Sequence, residues 1–384
     1  MERNNKKIFD TYVFISTFSR CLIETFIPVI LYKFGFSIKE LLLYFLVFQI
    51  TSLILSYPFT YICKKGYGRL LSIVGIIAFI SEQVYLNFIT YSTTYLIITA
   101  IIYGVYRRAY WISRRFFNMQ IMQINEEGKS YAVTSIFNQI AIIAASYIGS
   151  LLLEFLNTKT VTIISIILFL ISVIPLKLMK FKIEVNDLPI DLKYIFKNTP
   201  KKDFYIFGAY ELQNVLKFLF PLYLIVYIRN TYQTIGIVQL ISNIAIILFT
   251  YIFGKRLDFK KKDYIQISTI FICVVYFCKI NVTYILLLII SFIEGFATKM
   301  YELSENKAMY SLSKKFEYNS YNLAYEVTQN IFRLALATFF YFCNFDIKTM
   351  MYITLAVIAS SALFKFKEPN IPNLDMDKIM KKDE

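Results

Sequence analysis

The sequence predicts an all-α integral membrane protein in which twelve transmembrane helices form two six-helix bundles. Apolar runs long enough to cross a membrane recur along the chain, one long polar segment divides them six and six, and the two sets align under a single shift. Of the 384 residues, 57% are hydrophobic and only 17% are charged, whereas soluble proteins have about 25% charged residues. This composition is typical of a chain whose solvent is the lipid bilayer.

Twelve segments have the length of a transmembrane helix, which needs about 20 apolar residues to cross a hydrocarbon core of roughly 30 Å. The N-terminal sequence lacks the pattern of a cleavable signal peptide, so we expect the first apolar run to be a true span. The spans are expected at residues 10–33, 38–62, 70–90, 92–113, 131–154, 159–180, 203–229, 233–254, 263–280, 282–303, 320–343 and 347–365.

The longest polar interruption, residues 181–202, follows the sixth span. We interpret it mainly as a cytoplasmic linker, within which IDLKYIF is a candidate for a short interfacial helix. It separates an N-terminal bundle at 1–180 from a C-terminal bundle at 203–366, and a cytoplasmic tail follows at 367–384. We therefore expect two domains with equal numbers of helices.

Lysine and arginine are concentrated in alternate loops, among them KKGYGR, the central linker and GKRLDFKKKD. The loops between these are short and carry at most two positive charges. Because basic loops stay on the cytoplasmic side, both termini are predicted to be cytoplasmic, in the inner (plasma) membrane of a bacterium. The same asymmetry explains the formal charge of +15 without nucleic-acid binding, which would need a soluble basic surface.

The two halves contain an internal repeat. TFIPVILYKFGFS in the first span aligns with FLFPLYLIVYIRN in the seventh at a shift of 193 residues. This alignment places Pro28 on Pro221 and Glu24 on Lys217. Parallel repeats related by an axis along the membrane normal are a known architecture of secondary transporters.

Ionisable residues inside the predicted spans follow a period of three helices. Such residues are costly in lipid and usually functional. They occur mainly in spans one, four, seven, ten and eleven, at Arg20, Glu24, Arg107, Arg108, Glu211, Lys217, Glu294, Lys299, Glu302, Glu326 and Arg333. We expect the first helices of four three-helix units to line a shared polar cavity. Glu82 in span three breaks this pattern, and the sequence gives it no role.

Together, the six-plus-six layout, the cytoplasmic central loop and these charges resemble the major facilitator superfamily. The signature loop of that family reads G-x-L-A-D-R-x-G-R-R. The N-terminal copy here, YICKKGYGRL, keeps Gly68 and Arg69 but has Lys65 at the aspartate position, whereas GKRLDFKKKD in the C-terminal half keeps Gly254 and Asp258. The resemblance implies a monomeric secondary transporter that works by alternating access, with these four family-like positions in the conformational loops.

Five residues are candidates for solute binding. An excess of positive charge in the cavity predicts a small anionic or zwitterionic solute, held by Arg20, Arg108, Trp111, Lys217 and Lys299. The alternative is that these charges form internal ion pairs. Arg20 and Glu24, four residues apart, lie on one helix face and are expected to pair.

Proton coupling, if present, must use carboxylates, because the chain contains no histidine. Glu24, Glu294 and Glu326 are the candidates, and they share the alternative role of gating ion pairs with Arg333. Protons are therefore a candidate partner, beside the solute and the lipid bilayer.

Other functions are less well supported by the sequence. The five cysteines lack metal-ligand spacing and no nucleotide-binding motif occurs, so we expect no metal, no cofactor and no enzyme activity. A membrane-embedded enzyme would need a larger acidic outer loop. A transport-inactive sensor or scaffold of the same fold, and a lipid flippase, remain alternatives.

Overall fold

The computed structural model describes residues 2–122, 127–179, 190–253, 265–313 and 318–364. Across these ranges the chain is helical, with short turns between the helices and no β-strand. The predicted all-α class is confirmed.

The N-terminal half contains the first six predicted spans. Its helices are α1 (Glu2–Cys21), α2 (Ile27–Phe34), α3 (Ile38–Lys64), α4 (Gly68–Tyr85), α5 (Thr93–Met122), α6 (Glu127–Phe155), α7 (Thr158–Ile171) and α8 (Val173–Leu178). The first span consists of α1 and α2, and the sixth consists of α7 and α8.

The C-terminal half repeats this order after one short connecting helix. Its helices are α9 (Leu192–Asn198), α10 (Lys201–Tyr210), α11 (Gln213–Tyr223), α12 (Tyr232–Phe253), α13 (Ile265–Ile280), α14 (Tyr284–Ser313), α15 (Tyr318–Cys343) and α16 (Ile347–Ser361). The seventh span consists of α10 and α11.

Eight helical segments in the described ranges are long and apolar enough to cross a membrane. Two further apolar helices, α13 and α16, are shorter. The long helices α5 and α15 occupy the predicted fourth and eleventh spans and carry the buried charges described below. The structure is therefore that of a multi-pass helical membrane protein with two bundles, and the count of twelve crossings stays a prediction.

The halves meet where α3 packs along α15 and α6 packs along α12. The second contact depends on a glycine, because a β-carbon added at Gly236 of α12 would overlap the Ser150 side chain of α6. Small residues let membrane helices approach closely without a hydrophobic driving force. The absence of a side chain at Gly236 therefore allows α6 and α12 to approach closely.

Several predicted boundaries differ from the observed ones. Helix α5 continues to Met122 and α14 to Ser313, past the predicted span ends at 113 and 303. Charged residues such as lysine, arginine and glutamate are good helix formers, so a helix can continue after it leaves the apolar region. The connector contains α9, whose first turn is capped where the Asp191 side chain accepts a hydrogen bond of 2.8 Å from the Tyr194 backbone N–H.

Candidate functional site

The first transmembrane helix of each half is interrupted, at positions that differ by four to seven residues when the halves are aligned by the shift of 193. Helix α1 ends at Cys21 and α2 begins at Ile27, with a 3₁₀ turn at Glu24–Phe26 between them. In the other half α10 ends at Tyr210 and α11 begins at Gln213. Interrupted helices leave backbone groups free to meet a ligand, and transporters often place their binding sites beside them.

Proline accounts for part of this geometry. Pro28 lies in the first turn of α2, where the missing backbone N–H costs nothing and the fixed φ favours a new helix start. Pro221, at the matching position of the repeat, lies inside α11 and is followed by a π-helical segment at Leu224–Ile228. Each of the two aligned prolines therefore lies near a departure from α-helical geometry, although the two departures differ in type and position.

Arg20 and Glu24 form the expected ion pair at the first interruption. The Tyr103 hydroxyl of α5 donates a hydrogen bond of 2.7 Å to the other carboxylate oxygen of Glu24. The Arg20 guanidinium also lies 5.3 Å from the centre of the Trp111 ring and 5.6 Å from that of Tyr110. Both charges are thus neutralised within the N-terminal half, with aromatic faces covering the cation.

Trp111 lies between two arginines. The guanidinium of Arg114 is also 5.3 Å from its ring centre, and donates a 2.8 Å hydrogen bond to Asn138 of α6 and a 3.1 Å bond to the Tyr110 hydroxyl. Arg114 is buried. This arrangement holds α5 against α6 and fixes one wall of the N-terminal bundle.

A second charged group crosses the interface between the halves. Nη1 of Arg108 on α5 lies 2.5 Å from Oε2 of Glu326 on α15, and Arg115, two turns further along α5, pairs with the other oxygen of the same carboxylate. We call Arg108, Arg115 and Glu326 the arginine clasp. It joins the two halves through ion pairs whose members come from different bundles.

A small cleft opens beside the arginine clasp. Thr60 and Cys63 of α3 and Asn322 of α15 contribute to its walls together with all three clasp residues. Two guanidinium groups and one carboxylate give this lining a surplus of positive charge. Paired guanidinium donors are well suited to carboxylate and phosphate groups.

The C-terminal half has ion pairs of its own. Lys279 pairs with Glu294 and lies 3.9 Å from the centre of the Phe220 ring, and Lys299 Nζ lies 3.1 Å from Glu302 Oε2. These contacts join α13 to α14 and stabilise successive turns of α14. They neutralise charges that would otherwise be costly in this apolar environment.

Arg333 and Lys217 have different surroundings in the same half. Arg333 of α15 pairs with Glu211, the residue at the interruption of the seventh span. Lys217 is exposed and is close enough to the buried Glu305 to interact with it electrostatically. Among the described residues, Glu24 contacts Arg20 and Tyr103 and does not contact Lys217.

The five predicted solute-binding residues fall into separate groups. The structure brings Arg20 and Trp111 together at the first interruption and places Arg108 in the cleft. The recorded contacts of Lys217 and Lys299 lie within the C-terminal half. Their convergence on one solute stays a prediction.

The conformational-loop residues are only partly described. Gly68 begins α4 and lies against the Phe116 ring; a β-carbon added at Gly68 would be 2.6 Å from that ring. The Arg69 guanidinium donates a hydrogen bond to the Met179 carbonyl at the end of α8. Gly254 and Asp258 lie outside the described residues.

Sequence reasoning missed Arg115 and Lys279. Arg115 falls in RRFFNMQ, which reads as a loop once span four is ended at residue 113, although it lies seven residues after Arg108 and hence on the same helix face. Lys279 lies near the end of span nine and was expected to be outside the bilayer interior. Only 2% of its side chain is exposed, so burial rather than sequence position identifies it.

A multi-pass protein with two helical bundles and ion pairs across their interface has the architecture of a membrane transporter. Residues 11–202, half of the chain, match the family model of the Major Facilitator Superfamily, and the chain belongs to this family. A solved structure described as "Structure of a bacterial metal transporter" matches with a TM-score of 0.62 and 12% identity, covering 94% of this chain and 97% of the other. Comparison with curated protein sequences gives no significant match.

Proposed function

We propose that this protein is a secondary transporter that moves a small anionic or zwitterionic solute by alternating access. The observation that carries this proposal is the arginine clasp. Two arginines from one half share a single carboxylate of the other half beside the cleft. An anionic group entering the cleft would meet the two guanidinium groups of its lining beside a single carboxylate.

Contacts at the two ends of the interface between the halves support the proposal of alternating access. The arginine clasp lies on the predicted cytoplasmic side. Toward the opposite side Lys33 lies 4.0 Å from the centre of the Tyr232 ring, and Glu154 accepts a 2.8 Å hydrogen bond from the Tyr232 backbone N–H. We propose that these two sets break in turn, since switching proteins exchange discrete interface contacts.

The remaining candidate carboxylates fit a supporting role. Glu24 pairs with Arg20, and Glu294 pairs with Lys279. Each pair lies within one half, so it would keep the bundle rigid while the halves rock. The pair between Arg333 and Glu211 lies at the second interruption and belongs to the same proposal.

The solved neighbour is described as a metal transporter, but the cleft here favours another class of solute. Guanidinium groups are permanently positive and would repel a metal cation. The proposal also includes the predicted domains at 1–180 and 203–366, cytoplasmic termini, a plasma-membrane location and a monomeric transport unit.

Uptake into proteoliposomes tests the proposed function. The purified protein would be assayed with organic anions, amino acids, sugars and cationic drugs. We expect uptake of an anionic or zwitterionic solute, and an Arg108→Gln variant should lose roughly tenfold or more, because a hydrogen bond to a charged group contributes about 1.5–3 kcal/mol.

Arg229→Gln is the matched control for this assay. Arg229 is exposed at an interhelical turn, 4.3 Å from the Tyr284 ring centre and away from the cleft, so its loss should leave uptake unchanged. Transport of cationic drugs alone would contradict the charge argument. Movement of labelled lipid without any soluble solute would instead support the flippase alternative.

A further inference from the structure

Glu82 is a fully buried carboxylate in α4 that the proposed transport cycle has not yet used. Its exposed fraction is 0%, and neither carboxylate oxygen has a hydrogen-bond partner of normal geometry. Within the described part of the chain, no lysine or arginine forms an ion pair with it. An isolated charge in such surroundings is very costly, whereas the neutral acid is tolerated.

Other polar groups surround Glu82 without neutralising it. The hydroxyl of Tyr44 on α3 and the side chain of Gln83 beside it also lack hydrogen-bond partners of normal geometry. Glu82 is close enough to Tyr44, and to Tyr95 and Tyr103 on α5, for electrostatic interaction. These groups offer hydroxyl and amide dipoles but no positive charge.

Aromatic rings connect this pocket to the first interruption. The rings of Tyr44 and Tyr103 are stacked with centroids 6.1 Å apart, and the Tyr103 hydroxyl binds Glu24. Glu24 is also within electrostatic range of Glu82. Helix α7 packs on the same part of α4 and presents the apolar Phe169 ring, while its lone titratable residue is near its first turn.

The three carboxylates predicted for proton coupling differ from Glu82 in one respect. Glu24, Glu294 and Glu326 each have a basic partner. A cation within ion-pair distance favours the charged form of a carboxylate. We propose that Glu82 is the site that binds and releases the coupling proton of this transporter. This inference deepens the proposed function and rests on it for the link to solute movement.

The position of Glu82 explains how its proton would influence the transport cycle. When Glu82 is neutral, Glu24 has no like charge on that side and its pair with Arg20 is undisturbed. Release of the proton would create a second buried carboxylate within electrostatic range of Glu24, and two like charges repel each other. The repulsion would act at the interruption of the first span, where the backbone is already irregular.

Infrared difference spectroscopy tests the proton site without any solute. Reconstituted wild-type protein should show, near neutral pH, the carbonyl band of a buried protonated carboxylic acid. Glu82→Gln should lose this band. The control variant Glu40→Gln, which changes a carboxylate in the first turn of α3, should keep it. A spectrum of Glu82→Gln that matches the wild type would overturn the proposal. A carboxylate band that depends on Glu82 but responds to Na⁺ and not to pH would also overturn it.

Transport assays then separate coupling from binding. With the solute identified by the proteoliposome panel, Glu82→Gln should lose at least tenfold of uphill uptake driven by a pH gradient while keeping downhill exchange. Glutamine has the shape of the protonated acid, so the variant should fold. Unchanged pH-driven uptake would refute the role of Glu82. A wild type that transports none of the panel would instead count against the proposed function, while the infrared result would still decide the proton site.

Discussion

Charged side chains in this protein are neutralised mostly by partners that are distant in sequence. Spacing alone predicted the pair between Arg20 and Glu24, because residues four apart share a helix face. The pair between Arg108 and Glu326 joins residues 218 positions apart, and only the packing of α5 near α15 brings them together. Sequence periodicity therefore identified most of the charged residues of the site, though not Arg115 or Lys279, and could not identify which of them meet.

Glu326→Gln should destabilise the protein strongly. Removing one partner of a buried ion pair leaves an uncompensated charge, at a cost of about 3–5 kcal/mol, and the Arg108 side chain is only 6% exposed. Thermal melting in detergent should show a lower midpoint than the wild type. The double variant Arg108→Gln/Glu326→Gln should recover part of the loss, and a midpoint equal to the wild type for Glu326→Gln would contradict the assigned partnership.

Helices and their ends show where sequence patterns are reliable and where they are not. The predicted spans fall on helices in the described residues, because a long apolar run favours a helix that can cross the membrane. The interruptions of the first and seventh spans did not show in the apolar pattern. Pro28 lies beside the first interruption, whereas Pro221 lies eight residues inside α11 and does not mark the second. The ends of α5 and α14 were also placed too early, since charged residues end a hydropathy signal without ending a helix.

Close packing of α6 and α12 gives a test of the interface between the halves. A Gly236→Ala substitution would place a methyl group on the Ser150 side chain and should cost about 1–3 kcal/mol, as overpacking does. Melting curves should show this loss. Combining it with Ser150→Gly frees the space and should restore most of the stability, whereas equal losses in the single and double variants would argue against a steric cause.

At the scale of the whole molecule, the structure holds contacts at both ends of the interface between the halves. The arginine clasp is formed on one side, and the contacts of Tyr232 are formed on the other. The sequence predicted two related halves through the repeat, yet it could not predict which contacts close each end. These depend on how the two bundles dock.

Cys63 can report on opening of the cleft, because it lines the cleft and is only 2% exposed. In a variant that keeps Cys63 as its sole cysteine, labelling by a membrane-impermeant maleimide should be slow. Adding Arg108→Gln should speed labelling several-fold, since it weakens the arginine clasp. Equal rates with and without this substitution would show that the clasp does not control access to the cleft.

Glu326 can also be regarded as a tethered competitor of the solute. It occupies the same guanidinium groups that an incoming carboxylate or phosphate would need. In the proposed cycle a solute would have to displace Glu326, so its apparent affinity would be reduced in proportion to the fraction of time for which the arginines are free. The same displacement would remove the ion pair that holds α5 to α15, so that solute binding and release of that end of the interface would occur together. Modest affinity would then be a condition of rapid turnover in this protein.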